Sequence, residues 1–420
     1  MLDVLIIGAG PYGLSLAACL REAKIDFRIC GKPMASWKNY MPPGMLLKSH
    51  AWSSCLYDPT RRFTVERYCA ERQIPYAPEL TLPLETFVDY GEAFLAHFGI
   101  DVEPKLVSSL EPASHGYRAT LDDGEVILAR RVVMAVGVHP FKFIPDRLRH
   151  LPADAVSHSG DHGPLDRFVG KHVTIIGAGA SATGLAGLLQ EKGASVLLVA
   201  RGAKVPFAPT YTPRKDDFLH RLGRTVDKLI VPASGIGAGW PLKVLADVPW
   251  AFHSLPAAWR THLVRNTLGP LGHEAMKERV VGKVSLALGR ELRDAESIGG
   301  KVHLELVRRD GGKDTVQTDH VIAATGFRID VRRLDFLDPR LQRRIRTNDG
   351  APVLSSNYEA SVPGLYFIGP AAQDSFGPVA RFVFGVKHPC RRLPRHLSAT
   401  VPNASSPAPK ALGEAEAVLS

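Results

Sequence analysis

The sequence predicts an α/β fold: two Rossmann-like dinucleotide-binding domains, the second inserted into the first, plus a helical insertion. Three observations predict it. An apolar strand, a glycine turn and an amphipathic helix follow one another twice, at 3–24 and at 172–201. Two further buried-strand patterns, at 131–137 and 319–326, end in a small residue and a glycine, and a late run at 362–370 again leads a strand into a glycine turn. The chain has 420 residues, 45% of them apolar and 22% charged, which is room for more than one core and excludes a wholly disordered or coiled-coil protein.

In the first segment Val4 to Ile7 reads as a strand and Leu16, Ala17 and Leu20 as one face of a helix, joined by Gly8-Ala9-Gly10-Pro11-Tyr12-Gly13. Each glycine has a separate task. Gly8 permits the tight turn, Gly10 lets the backbone approach a pyrophosphate, and Gly13 lets helix and strand pack closely, while the helix start offers free N–H groups and positive potential to the phosphates.

The second segment repeats the arrangement with Val173 to Ile176, then Gly177-Ala178-Gly179-Ala180-Ser181-Ala182, then a helix marked by Leu185, Leu188 and Leu189 and closed by Gly193. The next strand, Ser195 to Val199, stops at Ala200-Arg201. A cation there suits the 2′-phosphate of NADPH better than the free ribose of NADH. Two such turns a domain's length apart imply two bound dinucleotides, and the natural pair is FAD with NADPH, since a hydride can pass from nicotinamide to flavin.

Between 206 and 283 the pattern changes. Phe218, Leu219 and Leu222, then Leu242, Leu245 and Val248, then Leu255, Trp259, Leu263 and Leu268 read as short helices separated by breaks such as the glycine run at 235–239. Such an insertion is expected over the cleft, with Trp240, Trp250 and Trp259 either shaping an apolar substrate pocket or forming core. The expected division is an FAD-binding domain from 1–150 and 326–397, an NADPH-binding domain at 151–325 carrying the helical insertion 206–283, and a disordered Pro/Ala/Ser tail at 398–420.

Composition excludes other classes. The net charge of +10 is scattered, with no zinc-finger or basic-zipper pattern, so nucleic acid is not the expected partner. Five cysteines at 19, 30, 55, 69 and 390 never form Cys-x-x-Cys, which argues for a reducing cytoplasm and against thiol exchange. No apolar run approaches a bilayer span, so no membrane partner is expected. His158 and His162 lack carboxylate partners at ligand spacing, so no metal site is expected either.

With these residues in view, the chain resembles the class B flavoprotein monooxygenases: the flavin-containing monooxygenases, the Baeyer-Villiger monooxygenases and the lysine/ornithine N-hydroxylases. The resemblance implies that Gly8, Gly10, Pro11, Tyr12 and Gly13 bind FAD, that Gly177, Gly179, Ala180, Ser181 and Ala182 bind NADPH, and that Gly369 and Pro370 lie by the flavin. Val107, Gly137, Thr325 and Gly326 are grouped with the cofactor positions. Trp37 stands where the flavin-containing monooxygenases have the tryptophan of a Gly-Gly-x-Trp motif, although Ala35 and Ser36 replace the glycines. Met45-Leu46-Leu47-Lys48-Ser49 and Tyr57-Asp58-Pro59-Thr60 are similar to the Phe-Leu-Lys-Asp and Arg-Asp-Pro-Thr segments of the ornithine hydroxylases, which makes Lys48 and Ser49 candidates for the active-site mouth. The glutamine preceding that lysine motif is missing.

Two more departures stand out. The family's ribose-binding glutamate is replaced by Gly31, which leaves the anchoring to Lys32 or main chain, and of the Phe-x-Gly-x-x-x-His linker signature only His158 is clear. The resemblance implies an NADPH-dependent FAD monooxygenase that inserts one oxygen atom of O2 into a small organic substrate through a flavin C4a-(hydro)peroxide, with N-oxygenation of an amine favoured by Lys48 and its flanks. An NADPH:acceptor flavin reductase and Baeyer-Villiger ketone oxidation remain open, as does self-association into a homo-oligomer.

Overall fold

Val4, Leu5 and Ile6 are wholly buried, as a central parallel strand requires when both of its faces are covered. They belong to β1 (Leu2–Ile7), which runs into α1 (Pro11–Glu22) and pairs in parallel with β2 (Phe27–Cys30) and β3 (Val126–Met134). The computed structural model describes residues 1–208, 232–269 and 271–399. β3 closes an antiparallel meander begun by Val107–Ala113 and Gly116–Leu121, and its last residues pair in parallel with the late strand Leu365–Phe367. Pro11 to Leu20 of α1 are all buried. Each fully buried leucine there contributes roughly 1.5–3 kcal/mol, enough to offset the ~1 kcal/mol that Gly13 costs inside a helix.

The second sheet is parallel throughout, in the order Ser285–Leu288, Ser195–Ala200, His172–Ile176, His320–Ala323 and Val156–His158. We label its central elements β4 (His172–Ile176), α2 (Ala180–Glu191), β5 (Ser195–Ala200) and β6 (His320–Ala323). A three-stranded antiparallel sheet, Arg290–Ile298, Lys301–Arg308 and Lys313–Thr318, buries the alternate residues Val302, Leu304 and Leu306. The two larger sheets are tied by the segments that leave β3 and β6. Phe143 N–H donates to the Gly326 carbonyl at 3.0 Å, Arg328 N–H to that of Phe141 at 2.8 Å, and the Thr325 hydroxyl to that of Phe143.

Among the described residues the helical insertion includes the helices Trp240–Asp247, Pro249–His253 and Ala257–Asn266. Its tryptophans correct the expectation. Trp240, Trp250 and Trp259 are 52, 60 and 65% exposed, so they neither fill a core nor enclose a pocket. What buries these helices instead is Ala246, Phe252 and Val264 on their inner faces. The expected helix at 218–222 and nearly all of the 398–420 tail lie outside the described residues.

At the start of the second sheet a buried chain of three side chains joins its edge strand to β6. His320 Nδ1 meets the Asp154 carbonyl at 2.9 Å, and the Ser157 hydroxyl meets His320 Nε2 at 2.7 Å and His162 Nε2 at 2.8 Å. One assignment satisfies every atom with both rings neutral: His320 Nδ1–H donates to the carbonyl, Ser157 O–H to His320 Nε2, and His162 Nε2–H to Ser157 Oγ. Burial, reinforced by Arg167, pushes both histidines down to about 4. Unfolded histidines take up protons near pH 6.5. Unfolding therefore binds protons between about pH 6.5 and 4, and stability is expected to fall as pH drops through that window, by up to ~1.4 kcal/mol per pH unit for each histidine. Thermal unfolding followed from pH 7.5 to 4.5 checks this; a level midpoint would contradict the neutral chain.

Candidate active site

The first glycine turn is fixed by close backbone approach. Gly8 N–H donates to Cys30 O at 2.8 Å and Ala135 N–H to Ile7 O at 2.8 Å, which presses Gly8 against the chain leaving β3. A Cβ at Gly8 would lie 2.3 Å from Ala135 O, and one at Gly13 would lie 1.9 Å from Gly8 O. At Gly10 a Cβ would meet nothing within 4 Å. Gly10 caps α1 with no side-chain hydrogen bond, so no capping side chain takes up the first amides of the helix. An uncapped helix start beside a glycine with room in front of it fits a pyrophosphate.

The second turn reproduces this contact by contact. Gly177 N–H donates to Val199 O at 2.9 Å, Ala324 N–H to Ile176 O at 3.0 Å, and a Cβ at Gly177 would lie 2.3 Å from Ala324 O. Gly179 caps α2 at φ −82°, as Gly10 caps α1 at φ −88°, again without a side-chain partner. Ala180 and Ser181 are exposed at its mouth, whereas Ala182, in the place of Gly13, is buried. Arg201 follows β5 directly, its side chain exposed and its carbonyl accepting from Arg309 Nη2 at 3.3 Å.

Around the first turn the structure gathers several of the sequence candidates. Gly31, at φ +136°, lies against Ala9 N, so a glutamate at this position would be strained. Its N–H bonds Glu103 O, and Arg28 pairs with Glu103 and Glu125 beside it; Lys32 is exposed next to it, and Val107 opens a strand four residues beyond Glu103. Met34 N–H bonds Ala9 O, which sets the helix Ala35–Tyr40 against the turn, with Trp37 packed edge-on to Phe87 at 4.7 Å. Gly369 stands at φ +74°, where a Cβ would come within 3.4 Å of the Tyr12 ring, and Pro370 follows it in the short helix Gly369–Ala372.

Two of the candidate side chains are committed elsewhere. The Tyr12 hydroxyl bonds Ala380 O at 3.1 Å and Phe382 O at 2.9 Å, and burial holds the phenol well above its usual range, so Tyr12 offers a ligand only its backbone. The Thr325 hydroxyl bonds Phe143 O, and the Gly326 carbonyl accepts from His158 Nε2 at 2.9 Å. His158 is wholly buried and also takes Gly160 N–H on Nδ1, a local fastening between the crossovers. Gly137 and Gly326 share positive φ, +68° and +80°, with open space where a Cβ would stand.

Lys48 and Ser49 lie on the strand Leu46–His50. Lys48 Nζ reaches the Leu271 carbonyl at 3.1 Å, which joins this strand to the end of the helical insertion. Its ammonium can be reached by solvent, yet partial burial holds it below the usual lysine range, and it in turn helps burial to lower His273. Lys48 therefore supplies a positive, partly desolvated edge.

Against this geometry, the profile of the pyridine nucleotide-disulphide oxidoreductases matches residues 5–224, more than half of the chain. The chain belongs to the pyridine nucleotide-disulphide oxidoreductase family. The curated relatives it matches are indole-3-pyruvate monooxygenases. It is 29% identical over 208 residues to the indole-3-pyruvate monooxygenase YUCCA1 of Oryza sativa subsp. japonica, a match that spans 47% of each chain, about half of that relative's length. Its fold is that of the reduced ornithine hydroxylase of Pseudomonas aeruginosa, with TM-score 0.74, 17% identity and coverage of 95% of this chain and 99% of the other. It is shared equally by an ornithine N-hydroxylase of Kutzneria sp. 744 with reduced FAD, NADP+ and L-ornithine, with TM-score 0.74, 15% identity and the same coverage.

Sequence reading missed Arg309, which only the fold of the 290–318 sheet brings to Arg201. It also missed the carbonyls of Ala380 and Phe382, which hold Tyr12 from more than 360 residues away. Among the described residues no helix is long and apolar enough to cross a membrane, and no group of three or more His, Cys, Asp or Glu side chains could hold a metal.

Proposed function

We propose that this oxidoreductase is an NADPH-dependent FAD monooxygenase acting on a small amine. The observation that carries the reading is the duplicated cradle, in which the turns at Gly8 and Gly177 are held by the same three backbone contacts and Gly10 and Gly179 open the same uncapped helix starts. In this reading 1–150 and 326–397 form the FAD unit and 151–325 the NADPH unit. Gly10, Gly13 and the first amides of α1 hold the FAD pyrophosphate, and Gly179, Ser181 and Arg201 hold NADPH. When bound, FAD supplies the redox and oxygen-activating chemistry and NADPH the hydride.

The chain's own task is to position and to set charge. Tyr12 ties the late segment to the first turn, so Gly369 and Pro370 are kept beside the flavin. Lys48 disfavours a second cation near it and so helps to keep an amine substrate unprotonated, the form whose lone pair can accept oxygen. The thiols give no support to a dithiol mechanism. Cys19 and Cys390 are in contact but both are buried, and Cys19 stands nine residues along α1 from Gly10, about 13 Å at 1.5 Å per residue.

The test is NADPH consumption by the flavin-loaded protein in air, with mass analysis of a panel of primary amines, thioethers and ketones. An amine that gains one oxygen atom in step with NADPH loss is the expected result. NADPH oxidation without any oxygenated product would instead favour the acceptor reductase. Lys48→Met is expected to move the rising limb of the kcat/KM profile for the amine to higher pH, by roughly one unit, because the amine is then protonated more readily, with flavin content at the wild-type level.

A further inference from the structure

A cavity of about 780 Å³, within the range of small-molecule sites, is lined by none of the turn glycines. It lies between the crossover segment 327–333, the helix Ala257–Asn266 and the late segment 373–381. Six arginines and four aspartates face it. Three pairs are closed: Arg149 with Asp146 at 3.0 Å, Arg265 with Asp349 at 2.6 Å and Arg332 with Asp330 at 2.8 Å. That leaves three guanidiniums, Arg328, Arg333 and Arg381, and one carboxylate, Asp374, an excess of two positive charges.

Each of the three guanidiniums is anchored without an acid. Arg328 stands over the Phe143 ring at 3.5 Å, Arg333 donates to Lys142 O, and Arg381 donates to Val264 O at 2.6 Å and to Gln373 Oε1 at 2.5 Å. Arg381 is open to solvent at the cavity, yet the surrounding protein strips enough water to hold it below the usual range. Burial likewise pushes Asp374 up although Arg381, Arg265 and Arg260 all act on it, and Arg260 Nε is buried with no hydrogen-bond partner among the described residues. A guanidinium short of water, as Arg381 is, is what a carboxylate satisfies best, through paired charge-assisted hydrogen bonds. Arg328 and Arg333 are anchored on the neighbouring residues Phe143 and Lys142, whereas Arg381 is anchored on a different wall at Val264, which favours an extended ligand over inorganic phosphate.

We infer that this cavity binds a small organic di- or tricarboxylate through Arg381, Arg328 and Arg333. The site also bears on the first turn, because Arg381 lies between Ala380 and Phe382, whose carbonyls hold the Tyr12 hydroxyl. The inference does not depend on which cofactor the turns hold.

Calorimetric titration of the full chain as purified, with citrate as the probe at fixed ionic strength, tests it. One citrate per chain is expected, weakened at least about tenfold in Arg381→Gln by loss of a charge-assisted contact. Arg328→Gln changes an exposed side chain and so gives a readout even if Arg381→Gln folds poorly; it is expected to weaken citrate several-fold. Arg201→Gln, at the second turn, should leave citrate binding unchanged. Absence of citrate binding, tighter binding of inorganic phosphate than of citrate, or equal losses in Arg201→Gln and Arg381→Gln would each overturn the assignment.

Discussion

Gly10→Val is expected to yield a folded protein that no longer retains flavin. The three glycines of the first turn look alike in sequence, but a side chain meets different things at each. At Gly13 a Cβ would lie 1.9 Å from Gly8 O and at Gly8 it would lie 2.3 Å from Ala135 O, so substitution at either must move backbone. At Gly10 nothing lies within 4 Å, and φ −88° with ψ −174° is ordinary extended backbone. Valine there places its Cβ in open space. Its methyl groups instead fill the approach to the first amides of α1, where a pyrophosphate would sit. The expected loss in FAD affinity is at least ~100-fold, equivalent to about 2.7 kcal/mol, with the circular dichroism and thermal midpoint of the apoprotein unchanged. Gly13→Ala is expected to lower both flavin content and stability. Visible absorbance against protein absorbance, read beside a melting curve, separates the two; a Gly10→Val protein that stays fully yellow would move the pyrophosphate elsewhere.

The same glycines show why some of this site was legible in the sequence. A strand, a turn and a helix within about twenty residues are local, and glycine spacing reports where a backbone must pass close to another backbone. The late strand Leu365–Phe367 was legible for the same reason, as a short apolar run ending in glycine. What could not be read depends on contacts between distant residues. The Tyr12 hydroxyl looks free in sequence because its acceptors lie 368 and 370 positions away. His158 carried no visible partner because the Gly326 carbonyl is supplied by the other crossover.

The tryptophans failed differently. Helical spacing of Leu242, Leu245 and Val248, and of Leu255, Trp259 and Leu263, identifies amphipathic helices, but it does not say whether each large residue is covered by another element. Here Trp250 and Trp259 are not. The replacement of the ribose-binding acid by Gly31 was visible, whereas its cause was not. The position has φ +136° and sits against Ala9 N, so the backbone itself excludes the side chain the family pattern would place there.

Arg201→Ala is expected to reduce kcat/KM for NADPH by about 10- to 100-fold, the worth of one to two charge-assisted contacts to a phosphate, and to change that for NADH by less than about twofold. The position follows from topology: β5 is the second strand of its unit, and the residue after it faces the adenosine ribose of a dinucleotide laid on the second turn. Arg201 is exposed, so nothing in the folded core depends on its charge, and a change in coenzyme choice can be read without a change in stability. The competing explanation, a solvent-facing strand end, makes the opposite forecast, since removing such a side chain would shift both coenzymes alike. Arg309 refines the comparison. Its Nη2 holds the Arg201 carbonyl at 3.3 Å, so Arg309→Ala loosens the backbone that presents Arg201 and is expected to give a smaller loss of the same sign. Steady-state kinetics with both coenzymes on the two variants decide between these accounts, because only a 2′-phosphate contact makes the loss selective.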